Sequence, residues 1–203
     1  MLKIHGTSMS RAGRALWAAD ELGIKFEHVP TGIGAAGSRQ PAHMKINPNG
    51  HVPAIEDDGT VVWESMAINL YLADKYGKAP FWPSTPEGRA HAYQWSFWGM
   101  TEVEPHLLTV FLNRVMLPKE QRNEKAVDAA LEALKAPLKV LDDHLKNHDY
   151  LLGKDYTIAD LNLASVLMLA PMAGVDFSAV PKAKAWLDKC LERPAAQKSR
   201  TYK

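Results

Sequence analysis

Two periodicities that cannot share one architecture meet at residues 78–87, a stretch holding Pro80, Pro83 and Pro86. Before it, short runs alternate apolar and polar residues, as half-buried strands do; after it, apolar residues recur at three and four, as on one face of a helix. A chain written this way predicts a small α/β unit, a linker and an all-helical unit. The expected boundaries are 1–77, 78–86 and 87–203.

The first part resolves into a definite order. Residues 2–6 alternate and end at Gly6, residues 11–22 are rich in Ala and Leu and stop at Gly23, and residues 25–29 alternate again before Pro30. Strand, helix and strand over so few residues make a βαβ unit with parallel strands. Residues 31–51 read as loop, with Gly32, Gly34, Gly37 and Gly50 beside Pro41 and Pro48. A hairpin follows, residues 52–56 and 60–63 flanking Asp57-Asp58-Gly59, in which Asp-Gly is a strong turn signal. Glu64-Ser65 then leads into a helix over 66–76, with Ile68, Leu72 and Tyr76 on one face. The order βαβ–ββα predicts a thioredoxin-like domain.

The second part predicts helices only. Residues 88–117 form one long helical stretch dense in aromatics (Tyr93, Trp95, Phe97, Trp98), with a kink expected at Pro105. Over 123–147, Leu131, Leu134, Leu138, Leu141 and Leu145 define an amphipathic helix. Thr157-Ile158-Ala159-Asp160 is a capping-box signature before 161–170, a helix apolar nearly all round and therefore expected at the centre of a bundle. A last helix spans 183–191, with Pro194 expected to end it.

Charge and composition exclude several classes. Twenty-four basic residues against 23 acidic ones leave a formal charge of +1, which offers no electrostatic case for nucleic acid or an anionic membrane. No apolar run reaches the length of a membrane span, and the first residues lack the apolar core of a signal peptide. The lone Cys190 cannot form an internal disulfide, which fits a reducing cytoplasm. Hydrophobic residues make up 46% of the chain, enough for a sizeable core.

Within this frame, Asn47-Pro48-Asn49-Gly50-His51-Val52-Pro53-Ala54-Ile55, then Glu64-Ser65-Met66-Ala67-Ile68, then Tyr71-Leu72, resembles the N-P-x-G-x-V-P-A-L … E-S-x-A-I-x-x-Y-L pattern of cytosolic glutathione S-transferases. Residues 10–17 look like the first helix of bacterial serine-type, theta- or phi-like members, and 153–160 is similar to the family's cap on its buried helix. These three motifs, in order, span about residues 2–193.

The resemblance implies a reaction and a set of roles. Reduced glutathione would be the co-substrate and a small apolar electrophile its partner, accepted by side chains of the helical domain. No metal is implied. Ser65, opening a helix, would offer its N–H, hydroxyl and positive dipole end to the γ-glutamyl carboxylate. Glu64 would pair with the γ-glutamyl amine. Val52, before a cis Pro53, would hold the cysteinyl residue as a short added strand. Arg39 and His51 would meet the glycyl end. Thiol activation needs a hydrogen-bond donor near the end of the first strand, because the thiolate is the nucleophile. Thr7, Ser8 and Ser10 are the candidates, with no tyrosine or cysteine in the segment, and Ser10 is favoured over Ser8 although it also suits an N-cap. A homodimer, a cytoplasmic setting and a role in detoxification complete the expectation. Peroxide reduction, isomerisation or dehalogenation would use the same site, and a non-catalytic binder would keep the fold.

Other signals are set aside. Gly32-Ile33-Gly34-Ala35-Ala36-Gly37 matches a dinucleotide fingerprint, but Pro30 and Thr31 separate it from its strand and Pro41 is expected to block the helix it needs. His144 and His148 stand one helical turn apart without a third ligand at suitable spacing, and histidines near a helix C-terminus suit its dipole. Cys190 reads as packing. The aromatic stripe 93–98 reads as core or dimer surface rather than substrate pocket.

Overall fold

A computed structural model describes every residue from Met1 to Lys203. The chain divides into two compact units, Met1–Trp82 together with Glu192–Lys203, and Pro83–Leu191.

In the first unit β1 (Leu2–His5), α1 (Ala12–Glu21), β2 (Phe26–Val29), α2 (Pro41–Met44), β3 (Ala54–Asp57), β4 (Thr60–Trp63) and α3 (Ser65–Tyr76) follow in order. The sheet runs β2-β1-β3-β4, with β1 parallel to β2 and the other two pairings antiparallel. Asp58 and Gly59 both take positive φ, 50° and 87°, the geometry a two-residue hairpin turn requires. Ile4 and Ile55 pair across β1 and β3, and with Leu16, Trp17, Ile68 and Leu72 they form the core. Each such side chain contributes roughly 1.5–3 kcal/mol by leaving water.

Two prolines do the opposite of what the sequence predicts. Pro41 does not block a helix but begins α2, and Pro194 begins α10 (Pro194–Ser199) instead of ending helical structure. The reason is common to both: at the first helical position the missing N–H is one that no helix would use. α10 packs on α1, and Arg193 pairs with Glu21 while Lys198 Nζ lies 2.6 Å from Asp20 Oδ1. The expected assignment of 87–203 to the helical domain is therefore corrected for residues 192–203, which these contacts tie to the first unit. The division after Trp82 lies inside the expected linker; Trp82 is buried, and its N–H donates to the Lys78 carbonyl.

The second unit contains α4 (Pro86–Trp98), α5 (Glu104–Phe111), α6 (Glu124–His144), α7 (Ile158–Leu167), α8 (Leu169–Met172) and α9 (Pro181–Leu191). No strand occurs in it. The long stretch 88–117 is interrupted as its proline demands. A π-turn over Gly99–Val103 precedes Pro105, widening the helix where a proline ring would otherwise meet a carbonyl one turn back. α7 is buried at all ten positions. Its N-terminus is closed by the Thr157–Asp160 capping box, and Asp160 also accepts from Leu151 N and Trp186 Nε1. On α4, Trp95 is buried while Tyr93 and Phe97 remain exposed. His144 Nε2 meets the Leu151 carbonyl and His148 Nδ1 the His144 carbonyl, so backbone groups occupy both rings. No helix is long and apolar enough to cross a membrane.

Candidate functional site

The sheet register decides which residues meet. His5, the last residue of β1, pairs with Ala54, the first of β3, and Ala54 pairs with Trp63, the last of β4. The loop after β1, the Val52-Pro53 segment before β3 and the start of α3 after β4 therefore leave the sheet at the same end. That end carries Ser8, Ser10, Val52, Pro53, Glu64 and Ser65.

Gly6 is the hinge of this arrangement. It takes φ +124°, and a methyl group placed on it would stand 3.1 Å from Val52 Cβ and 3.4 Å from Ser10 Oγ, besides striking Ala12 Cβ. Only glycine fits, and its bareness brings Val52 and Ser10 onto one patch. The Val52–Pro53 peptide is cis. Val52 lies just outside β3, and its N–H and carbonyl make no hydrogen bond within the chain. Ser10 Oγ donates to the Thr7 carbonyl at 2.8 Å and accepts from Ala12 N at 3.1 Å. It thus stitches the loop and accepts from the first N–H of α1, while Arg11, with no side-chain cap, stands at the N-cap itself. The Ser8 hydroxyl makes no hydrogen bond within the chain, whereas its backbone N–H donates to the Tyr202 carbonyl.

At the start of α3, Glu64 is exposed and takes φ +73°, which costs a non-glycine residue of order 1–3 kcal/mol. No side chain caps α3, so its first N–H groups and its dipole face outward from Ser65. Ser65 is buried, and its hydroxyl accepts from Arg14 Nη1 at 3.3 Å. A third cluster holds the turn before Val52. Gly50 lies against the Arg39 stem, and the His51 carbonyl accepts from His43 Nε2 at 2.8 Å and Asn47 Nδ2 at 2.9 Å. Arg39 and His51 are both exposed.

Comparison with known proteins decides the family. Residues 2–74 match the model of the glutathione S-transferase N-terminal domain, and residues 103–194 that of the C-terminal domain. Glutathione S-transferase 1 of Zea mays is 34% identical over 208 residues, covering 97% of this chain and 94% of that protein. The chain belongs to the glutathione S-transferase family.

Another relative of this glutathione S-transferase is GstB of Escherichia coli, 28% identical over 201 residues and covering 98% and 97% of the two chains. Among solved structures, the theta class glutathione S-transferase of Xanthomonas axonopodis pv. citri, with glutathione bound, superposes with a TM-score of 0.91. It is 30% identical, over 100% of this chain and 98% of its own. Against that background, two residues at the site of this glutathione S-transferase escape a reading by motif. Arg14 sits among the buried alanines and leucines of α1, and a charge in such a run was the signal available. Tyr202 lies at the far end of the sequence and carries no local signal at all.

Proposed function

We propose that this glutathione S-transferase lays reduced glutathione, its co-substrate, along the end of the sheet where residues 6–10, Val52-Pro53 and Glu64-Ser65 come together. The convergence of these three segments is the observation that carries the reading. The unpaired N–H and carbonyl of Val52 suit the cysteinyl backbone, which would add as one more short strand. The γ-glutamyl carboxylate meets the open N-terminus of α3 and the Ser65 hydroxyl, with the Arg14 charge behind it, and Glu64 pairs with the amine. Arg39, with His51 beside it, takes the glycyl carboxylate.

The thiol is then beside the loop after β1. Its proton leaves to solvent, a hydroxyl donor stabilises the thiolate, and the sulfur forms a bond to an electrophilic carbon as the leaving group departs with its electron pair. Ser10 is assigned this role because it shares the Gly6 patch with Val52. To play it, the Ser10 proton must turn from the Thr7 carbonyl to the sulfur, an exchange costing about 0.5–1.5 kcal/mol, and a charge-assisted bond offsets that. Ser8, whose hydroxyl is free, is the second candidate. The electrophile is apolar in this reading. A cytoplasmic homodimer engaged in detoxification is proposed on the same grounds of family, with exposed Tyr93 and Phe97 on α4 as apolar contact surface.

One observation favours a different reading: the engaged proton of Ser10 would suit a protein that binds glutathione without activating it. Titration with glutathione at neutral pH, followed by thiolate absorbance and calorimetry, separates the two. A thiolate band that saturates with binding supports the transferase; heat of binding without the band supports the binder.

A further inference from the structure

Residues Lys198 and Tyr202 are attached at three places around the loop that carries the candidate hydroxyls. Ser8 N–H donates to the Tyr202 carbonyl at 3.0 Å. The Tyr202 ring meets the His28 ring edge-on with centroids 5.3 Å apart, and leans on Phe26 at 5.6 Å. His28 Nε2 in turn donates to the Gly6 carbonyl at 2.7 Å. On the far side the Tyr202 hydroxyl donates to Asp20 Oδ1 at 3.1 Å, and Lys198 holds the same oxygen. The Asp20 side chain is only 3% exposed, so this anchor on α1 is a fixed one.

These bonds bracket residues 6–10. One end of the loop is held through His28 at Gly6, and its middle is held at Ser8. The remainder follows, because Ser10 N and Ser10 Oγ both bond to the Thr7 carbonyl. When the backbone that carries a donor is already held in place, only the hydroxyl proton has to turn towards the anion, and less of the gain is spent on ordering.

We propose that Tyr202 is a positioning residue for thiol activation: its carbonyl and ring hold the backbone of the loop after β1 so that the loop's hydroxyls stay within reach of the glutathione sulfur. The inference rests on the transferase reading above. It gives Tyr202 a task that no local motif carries.

The test compares full-length Tyr202→Ala and Tyr202→Phe with the wild type, using reduced glutathione and a generic aryl halide. Tyr202→Ala removes the ring from His28 and Phe26 and the hydroxyl from Asp20, leaving the backbone carbonyl to hold Ser8 alone. The bound thiol should then titrate about one pH unit higher, with kcat/KM at neutral pH falling about tenfold and recovering as pH rises. The dissociation constant for glutathione should stay within about twofold, because the residues that bind its charged ends are untouched. Amide exchange of a peptide covering residues 6–10 should quicken. Tyr202→Phe keeps ring and carbonyl, loses only the Asp20 bond, and should restore the wild-type pH profile. A Tyr202→Ala protein with a lowered melting temperature but an unshifted thiol and pH profile overturns the proposal and leaves the transferase reading standing. A wild type that binds glutathione without forming thiolate overturns the transferase reading, and this inference with it, while the exchange measurement still reports whether Tyr202 clamps the loop.

Discussion

The buried guanidinium of Arg14 donates to the Ser65 hydroxyl across 3.3 Å, joining the inner face of α1 to the first residue of α3. The bond occupies a lone pair of the serine oxygen and leaves its proton to donate. Ser65→Ala is therefore expected to lose a charge-assisted hydrogen bond to the γ-glutamyl carboxylate, worth about 1.5–3 kcal/mol. Calorimetry should show glutathione binding roughly ten- to hundredfold weaker. A change under about threefold, in a variant that keeps its circular dichroism, would deny Ser65 the anchor role.

Ser10→Ala separates activation from binding. Glutathione affinity should hold while the bound thiol's pKa rises, so turnover with an aryl halide falls at neutral pH and returns in alkali. The same substitution removes the acceptor for Ala12 N, which should lower stability by about 1 kcal/mol. Ser8→Ala is expected to be mild in both respects. The reverse pattern, with Ser8→Ala raising the thiol pKa and Ser10→Ala only reducing the melting temperature, transfers the catalytic role to Ser8.

Asp160→Ala should be the most damaging single change to the helical unit. Its carboxylate serves Leu151 N, Thr157 N, Thr157 Oγ1 and Trp186 Nε1, all in buried surroundings. Leaving two of those donors unsatisfied, at about 1–3 kcal/mol each, costs of order 3 kcal/mol. Thermal unfolding should fall by roughly 6–12 °C. A loss of less than about 2 °C would mean that water reaches the start of α7.

Stability should decline on mild acidification. Burial holds the His5 imidazole below the ordinary histidine range, against the opposing bond to Glu56, and burial does the same to His144 against its bond to the Leu151 carbonyl. Both stay neutral when folded at a pH where the unfolded chain has already taken up protons. The unfolded state therefore binds more protons just below about pH 6.5, and stability is lost as pH falls through that value. Denaturant midpoints measured from pH 8 to pH 5 check the sign; a midpoint that rises on acidification contradicts it.

A homodimer is expected in solution, with the two-fold symmetry commonest among soluble oligomers. Light scattering at micromolar concentration should return twice the mass of the chain, and charged substitutions at Tyr93 and Phe97 should shift it towards the monomer. A monomeric mass for the unaltered protein removes the dimer from the proposal.

Much of this molecule is written within short windows of sequence. The Asp58-Gly59 turn needs only two residues that accept positive φ, and it sets the hairpin whose ends carry Val52-Pro53 and Glu64-Ser65. The capping box at Thr157–Asp160 is likewise complete within four residues, and the apolar character of α7 announces its burial. A proline ring carries a fixed φ and a missing donor, which suit both the end of one helix and the beginning of another, so the residue alone does not distinguish a stop from the starts that Pro41 and Pro194 are.

The sequence by itself determined the two kinds of secondary structure, their order, the turn and cap residues, and a set of motif positions. Each of these depends on neighbours a few residues away, where propensity and periodicity act. Only the tertiary structure decided that Arg14 lies behind Ser65, that Gly6 brings Ser10 against Val52, and that Tyr202 closes on Ser8 after the chain has passed through a whole second unit. Those contacts join residues far apart in the chain. They arise from sheet register and from how one helix buries its face on another, and no local pattern records them.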